Sequence, residues 1–457
     1  MNEKDYIRTL KFQKGEAEIY ADNELFSSFE TSALKQLENV SSLPNIELPV
    51  KAMPDLHCGY GFPIGCVAAF DLNKEPIISP GGIGYDINCG VRFLKTDLEV
   101  KDIKGKESKI LSELFSAVPC GAGKESKLKI SFHDLKKILE TGVDWVFEKQ
   151  LGDFKNKDFL EVFEGQYQSV SKKALERGSR QLGTLGGGNH FLEIQKVEEI
   201  FDKEAADFLG LRKDLISVCI HTGSRGLGHQ ICCDWLEEMR KDSNKYRPPD
   251  SQLSYAPLNS LKGAGYFSAM NAAANFAAAN REIISYQTAK VFEKIFGKSD
   301  GFSLITDISH NMAKIEKIKE KKFLIHRKGA ACSYPYGSVS LPQKYQTFGF
   351  PVIVPGDMGR YSFLCKPLIN CEKTFYSCPH GAGRAISRTK ALKESKKRDI
   401  RKELAESGVF FKAENSDTLA EEMPYAYKDA QKIVSVTENA GLASKIAKLK
   451  PLAVIKG

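Results

Sequence analysis

The chain is 457 residues long, and none of its eleven cysteines forms a C-x-x-C pair. That absence excludes a cysteine zinc ribbon, and the cysteine spacing shows no disulfide framework either. An apolar run of membrane length is also missing, because the Ala-rich stretch from Ala264 to Ala279 is interrupted by Asn271 and Asn275. No signal-peptide pattern, internal repeat or low-complexity tail is visible, so the expected setting is a reducing cytoplasm without a membrane partner. There is no strong excess of one charge: 66 Lys and Arg face 58 Asp and Glu, a net of +8. With 42% hydrophobic and 27% charged residues, the composition is that of a globular protein with a large core.

The small positive excess is concentrated. Between Arg384 and Lys402, nine basic residues stand against two acidic ones. A basic face beside a catalytic loop fits a polyanionic substrate. Read alone, the same run also fits a solvated helix face.

Short apolar runs end in Gly, His or Asp turns. Residues 215–220 read as a buried strand leading to His221. Residues 302–306 lead to Asp307, 322–325 to His326, and 351–354 to Pro355-Gly356. Helices are expected over 107–118, 133–151, 157–178, 225–241, 264–296 and 387–406. Residues 242–263 read as a surface excursion, and about 90–180 as a smaller subregion. This mixture predicts an α+β fold in which 1–457 form a single large domain of mixed β-sheets with surrounding helices. Its active site is expected on loops at strand ends.

Six of the eight histidines sit in short glycine-rich or turn-like motifs. They are His57 in Asp55-Leu-His-Cys-Gly-Tyr-Gly, His190 in Gly186-Gly-Gly-Asn-His, and His221 in His-Thr-Gly-Ser-Arg-Gly. The others are His310 in Asp307-Ile-Ser-His-Asn, His326 in His-Arg-Lys-Gly-Ala and His380 in His-Gly-Ala-Gly-Arg. Glycine admits close backbone approach, and imidazole serves as metal ligand, base or nucleophile. His133 and His229 lie outside such turns and read as structural or solvent-facing.

Asp86-Ile-Asn-Cys89 sets a carboxylate and a thiol three residues apart, after the glycine-rich Ser79–Gly84. A lone cysteine reads as a small buried hydrophobe. Beside several imidazoles it becomes part of a mixed S/O/N set for a borderline transition metal, able to bridge two ions that clamp a phosphate. Gly183-Thr-Leu-Gly-Gly-Gly-Asn-His190 lacks the Lys-Ser/Thr ending of a P-loop. Lys298-Ser-Asp-Gly301 matches the Lys-x-Asp-Gly of covalent-lysine nucleotidyltransferases at three positions, and reads better as a polar connecting turn.

Together these motifs, with Met53–Gly65, Ala426-Tyr-Lys-Asp429 and the terminal Val454-Ile-Lys-Gly457, resemble the RtcB family of RNA-splicing ligases over nearly the whole chain. The resemblance implies an enzyme that uses GTP and two Mn²⁺ ions. It would join an RNA 3′-phosphate or 2′,3′-cyclic phosphate to a 5′-hydroxyl, in tRNA splicing or RNA repair. It implies that Cys89 bridges the metals, with Asp86 and His190 completing one site and His221 and His310 the other. His380 would carry GMP. Asn189 would touch phosphate, while Glu193, Ser362, Tyr427 and Lys456 surround the guanosine. Asn311, Pro355, Gly356, Asp357, Met358, Gly381, Ala382 and Gly383 would line the same pocket. Arg225, Arg384 and Arg388 are candidates for RNA contacts, and Asp55 and His57 for supporting the metal loop. An archease-type activator is a candidate partner.

The chain departs from the family pattern in one place. Pro355-Gly-Asp-Met-Gly-Arg-Tyr-Ser362 replaces the usual Pro-Gly-Ser-Met-Gly followed by small residues. Asp357 there either faces the base or neutralises Arg360. Two other readings compete: a metal-dependent phosphohydrolase that only opens cyclic phosphates, and a non-catalytic RNA-binding factor.

Overall fold

Two antiparallel-rich sheets organise the chain in a computed structural model that describes residues 3–297, 301–338 and 341–457. The six-stranded sheet runs in the order Ile7–Phe12, Gly15–Tyr20, Val50–His57, Ile64–Asp71, Lys321–Lys328, Asn311–Ile318. The eight-stranded sheet runs Ser303–Ser309, Gly90–Glu99, Leu215–Thr222, Phe191–Ile200, Ala443–Lys456, Ser362–Pro367, Val352–Val354, with Phe410–Ala413 added parallel to Ala443–Lys456. Helices cover these sheets, so the α+β expectation holds. Among the described residues, no helix is long and apolar enough to cross a membrane.

Strand register in the larger sheet gathers distant residues. Antiparallel pairing sets the start of one strand beside the end of the next. Gly90 pairs with Thr222, Phe191 with His221, Ser309 with Gly90, and Lys456 with Phe191. The residues flanking these pairs (Cys89, His190, His310 and the C-terminus) therefore share one sheet edge.

The helix Leu261–Phe296 is capped by Ser260, whose side chain accepts from Gly263 N, and it is buried on almost every side. The helices at 107–118 and 225–241 form as Glu107–Ala117 and Arg225–Arg240. Three expected helices differ. The one at 133–151 is split into Phe132–Thr141 and Val143–Glu148 at Gly142, whose φ of 54° is left-handed. Over 157–178 only Lys172–Gly178 is α-helical. The backbone before it is captured by side chains of the long helix: Phe163 N donates to Asn275 Oδ1, and Asn271 Nδ2 donates to Glu164 O. Residues 387–406 form two helices, Arg388–Ser395 and Ile400–Glu406, the second started by an Asp399 cap on Lys402 N.

Within 242–263, Ala256–Pro257 pairs with Ile77–Ile78, and Leu253 to Ala256 are buried, so part of that stretch is anchored in the core. Lys298, Ser299 and Asp300 of the lysine motif lie outside the described residues.

Candidate active site and metal centre

The five expected ligand residues meet at the shared sheet edge. Cys89 Sγ lies 3.3 Å from His190 Nε2 and 3.2 Å from His221 Nε2. His190 Nε2 is 2.7 Å from Asp86 Oδ2, and the Nε2 atoms of His221 and His310 are 3.3 Å apart. The ligand atoms fall into two sets of three, Asp86–Cys89–His190 and Cys89–His221–His310, and Cys89 belongs to both. Close approach depends on glycine: a Cβ on Gly223 would fall 2.5 Å from Asp86 Oδ1, and one on Gly186 2.0 Å from His190 Nδ1.

Burial sets the protonation of this cluster. Burial pushes His221 and His310 well below the usual imidazole range, so both are neutral and one Nε2 faces the other. Burial, and then the Asp86 carboxylate, push the Cys89 thiol well above its ordinary value. Burial would also raise Asp86, but the His190 imidazole leads the interactions that hold it at about 2. Converging sulfur, nitrogen and oxygen lone pairs suit a divalent transition metal, which would also stabilise the thiolate. The residues present thus fit the implied metal.

His380 stands beside this cluster, its ring centroid 4.8 Å from that of His310. Its Nδ1 lies 2.6 Å from Asp55 Oδ2, which also accepts the His380 backbone N–H at 3.1 Å. A carboxylate accepts, so Nδ1 carries a proton, and in the neutral imidazole the lone pair therefore lies on Nε2. This corrects one expectation. Asp55 does not back the metal loop, because its strand Val50–His57 runs beside Ser377–Pro379 and turns the carboxylate toward His380. His57 also sits by His380, with ring centroids 6.5 Å apart, and burial lowers its pKa to about 3.

A cavity of about 330 Å³ adjoins the cluster and His380. Its walls include Asp86, His221, His310, Asn189, Glu193, Asn311, Pro355, Gly356, Asp357, Met358, Gly381, Ala382, Gly383, Arg384, Arg388, Tyr427 and Lys456. Ser362 is not among them. Its Oγ sits behind the wall, accepting from Gly356 N at 3.1 Å, with Gln195 Nε2 3.3 Å away. Burial raises Glu193 to about 7, against the pull of Lys456 and a 2.8 Å hydrogen bond from Gln195; Asp357 pushes it up further.

The basic candidates differ in freedom. Arg384 is committed: Nη1 is 3.1 Å from Glu422 Oε1, and Nη2 donates to Glu421 O at 2.8 Å. Arg225 donates to Thr184 Oγ1 and, at 2.9 Å, to Gly121 O. Arg388 keeps an exposed side chain, its Nε 3.7 Å from Glu422. A second cleft of about 1060 Å³ holds His190 and Arg225 and shares Asp86, Asn189 and Arg388 with the cavity.

One histidine of the turn set ends elsewhere. His326 lies inside Lys321–Lys328, not in a turn. It is buried against Phe62 and Phe70, and Nε2 accepts from Ser79 N at 3.3 Å. His133 and His229 are both exposed. Sequence reasoning missed Glu422 and Tyr60 as cavity walls, along with Lys328, which burial lowers to about 8. Lys328 sat in the quoted His326-Arg-Lys-Gly motif. Glu422, in an ordinary acidic run, carried no signal.

Packing alone does not explain this concentration of ligand atoms beside His380 and a cavity, an arrangement that fits an enzyme. The chain matches the family model "tRNA-splicing ligase RtcB" over residues 36–457. It is 42% identical to the tRNA-splicing ligase RtcB of Archaeoglobus fulgidus over 458 residues, covering 96% of this chain and 94% of that one. Against the protein of the same description in Methanococcus maripaludis it is 43% identical over 453 residues, with the same coverage. The chain belongs to the RtcB family, and it is an RNA ligase.

Proposed function

We propose that the chain is a GTP- and manganese-dependent ligase of RNA 3′-phosphate or 2′,3′-cyclic phosphate and 5′-hydroxyl ends, acting in the cytoplasm in tRNA splicing or RNA repair. The observation that carries this reading is the His380–Asp55 pair beside a Cys89-centred ligand cluster, with His380, Asp86, His221 and His310 lining one cavity. Asp86, Cys89 and His190 would hold one ion, and Cys89, His221 and His310 the other. Such ions supply charge neutralisation at phosphate oxygens.

The chain's own residues divide the remaining work. Asp55 holds the His380 Nδ1 proton, so the Nε2 lone pair attacks the α-phosphorus of GTP. A P–N bond forms as the bond to the pyrophosphate oxygen breaks. An RNA 3′-phosphate oxygen then takes the guanylyl group, and the electron pair returns to Nε2. The 5′-hydroxyl attacks the 3′-phosphorus, loses its proton to solvent and releases GMP. A cyclic end is first opened by water. Glu193, with Lys456 and Tyr427 nearby, is assigned to the guanosine, and Arg225 and Arg388 to RNA phosphates.

A phosphohydrolase that only opens cyclic phosphates would need the ligand cluster but neither a nucleophilic His380 nor a guanosine pocket, and a non-catalytic RNA binder would not need the cluster. A sealing assay separates the three. RNA with a 3′-phosphate and RNA with a 5′-hydroxyl should join only with GTP and Mn²⁺, keeping the original phosphate at the junction. Joining of 3′-hydroxyl to 5′-phosphate ends with ATP would reject the assignment.

A further inference from the structure

The five ligand side chains arrive on four separate backbone segments, and all four are bonded to two adjacent residues of the long helix. Asn280 uses every hydrogen-bonding position of its amide. Oδ1 accepts from Gly183 N at 2.7 Å and Thr184 N at 3.1 Å, and Nδ2 donates to Thr184 O at 3.1 Å and Gly223 O at 3.3 Å. Arg281 Nε donates to Asp307 Oδ1 at 2.7 Å. Its Nη1 donates to Asn88 O at 2.8 Å and Thr222 O at 3.3 Å.

These acceptors are neighbours of the ligands. Asn88 precedes Cys89, Thr222 follows His221, Asp307 stands three residues before His310, and Gly183-Thr184 opens the loop that ends in His190. Asn88 has a left-handed φ of 53°, and its own Nδ2 donates to Ala274 O, again on the long helix, at 2.8 Å. Asp307 is held from its other side by Arg92 Nη2 at 2.5 Å. Asn280 and Arg281 are both buried.

A buried guanidinium–carboxylate network adds little stability over apolar packing, so folding alone does not account for it. Its geometry does something apolar packing cannot: directional bonds set the spacing of four loops against one rigid rod. We propose that Asn280 and Arg281 are the positioning residues of the metal centre, fixing the loops so that Cys89 remains common to both ligand sets. The proposal rests on the reading of the cluster as a two-ion site.

The test uses the full chain and Co²⁺ alone, whose thiolate charge-transfer absorption reports the Cys89 bond. Wild-type protein should bind two ions. Arg281→Lys keeps the charge beside Asp307 but cannot reach all three acceptors. It should bind Co²⁺ at least about tenfold more weakly at one or both sites, with an altered charge-transfer band, while its metal-free circular dichroism is retained. Asn280→Asp, which sets an acceptor against the Thr184 and Gly223 carbonyls, should act in the same direction and decides the matter if the arginine variant does not fold. Wild-type affinity and spectrum in either folded variant would overturn the proposal. So would a loss of fold in both, since that assigns the pair to folding. A wild-type protein that binds no Co²⁺ would instead reject the two-ion reading, and this proposal with it.

Discussion

Asp55 Oδ2 lies 2.6 Å from His380 Nδ1 and also accepts the His380 backbone N–H. One carboxylate oxygen thus fixes both the position and the tautomer of the ring. Asp55→Asn is expected to lower guanylylation by about 10²-fold or more, because an amide can present N–H₂ to Nδ1 and move the ring proton to Nε2. Metal content should be unchanged, since Asp55 contacts none of the five ligand residues. Loss of metal in this variant would return Asp55 to the metal loop.

Replacing Cys89 breaks both ligand sets at once. Cys89→Ala should lose bound metal, guanylylation and sealing while its circular dichroism is retained. Serine should not rescue, since its hydroxyl is far harder to deprotonate than a thiol. Metal analysis and sealing of Cys89→Ser check this, and full activity would reject the bridging role.

Glu193 gives a pH signature. Burial raises its pKa from 4.5 to about 7, so the folded protein holds a proton that the unfolded chain releases near 4.5. Stability contributed by that proton is complete below 4.5 and is lost as pH rises through about 7. Glu193→Gln should therefore stabilise the ligand-free protein by up to about 3 kcal/mol at pH 8 and have little effect at pH 4. GTP should behave oppositely. Its affinity for the wild type should rise as Glu193 ionises, because guanine presents donors to a carboxylate, and this rise should be absent in Glu193→Gln. Denaturation and GTP titrations at both pH values read the two effects.

Asp357 is bound to Arg360, Nε to Oδ2 at 2.5 Å, and its Oδ1 accepts from Gly359 N and Arg360 N at 3.0 Å. Arg360 Nη2 in turn donates to Pro424 O, Tyr427 O and Lys428 O, holding the turn that carries Tyr427. The geometry favours the pairing role for Asp357 over a direct contact with the base. Asp357→Ala should cost roughly 1.5–3 kcal/mol of stability, as loss of a charged hydrogen bond does, with an unchanged GTP/ATP ratio. Adding Arg360→Ala should not repair it, because three carbonyl contacts go too. A relaxed GTP/ATP ratio in a folded Asp357→Ala enzyme would restore base recognition.

What the sequence made legible follows from how each feature is encoded. The grouping of Cys89, His190, His221 and His310, with His380 beside them, could be anticipated because reactive side chains in glycine turns are locally unusual. The strand at 215–220 was visible as an unbroken apolar run. Asp55 as the partner of His380 was not, because 325 residues separate them and only strand adjacency joins them. Asn280 and Arg281 look like ordinary helix residues, and their meaning lies in the loops packed against them. His326 misled because its glycine neighbour marks the end of a strand, with the ring itself in the core. The helices misread at 133–151 and 157–178 were lost to Gly142 and to the side-chain amides of the long helix, which compete with local propensity.

The central claim is that His380 carries GMP, and covalent labelling tests it most directly. Incubation with α-labelled GTP and Mn²⁺ should give a protein-bound label that is acid-labile and base-stable, as a P–N bond to histidine is. His380→Ala should abolish the label and Lys298→Ala should retain it. Label that survives in His380→Ala and disappears in Lys298→Ala would contradict the account.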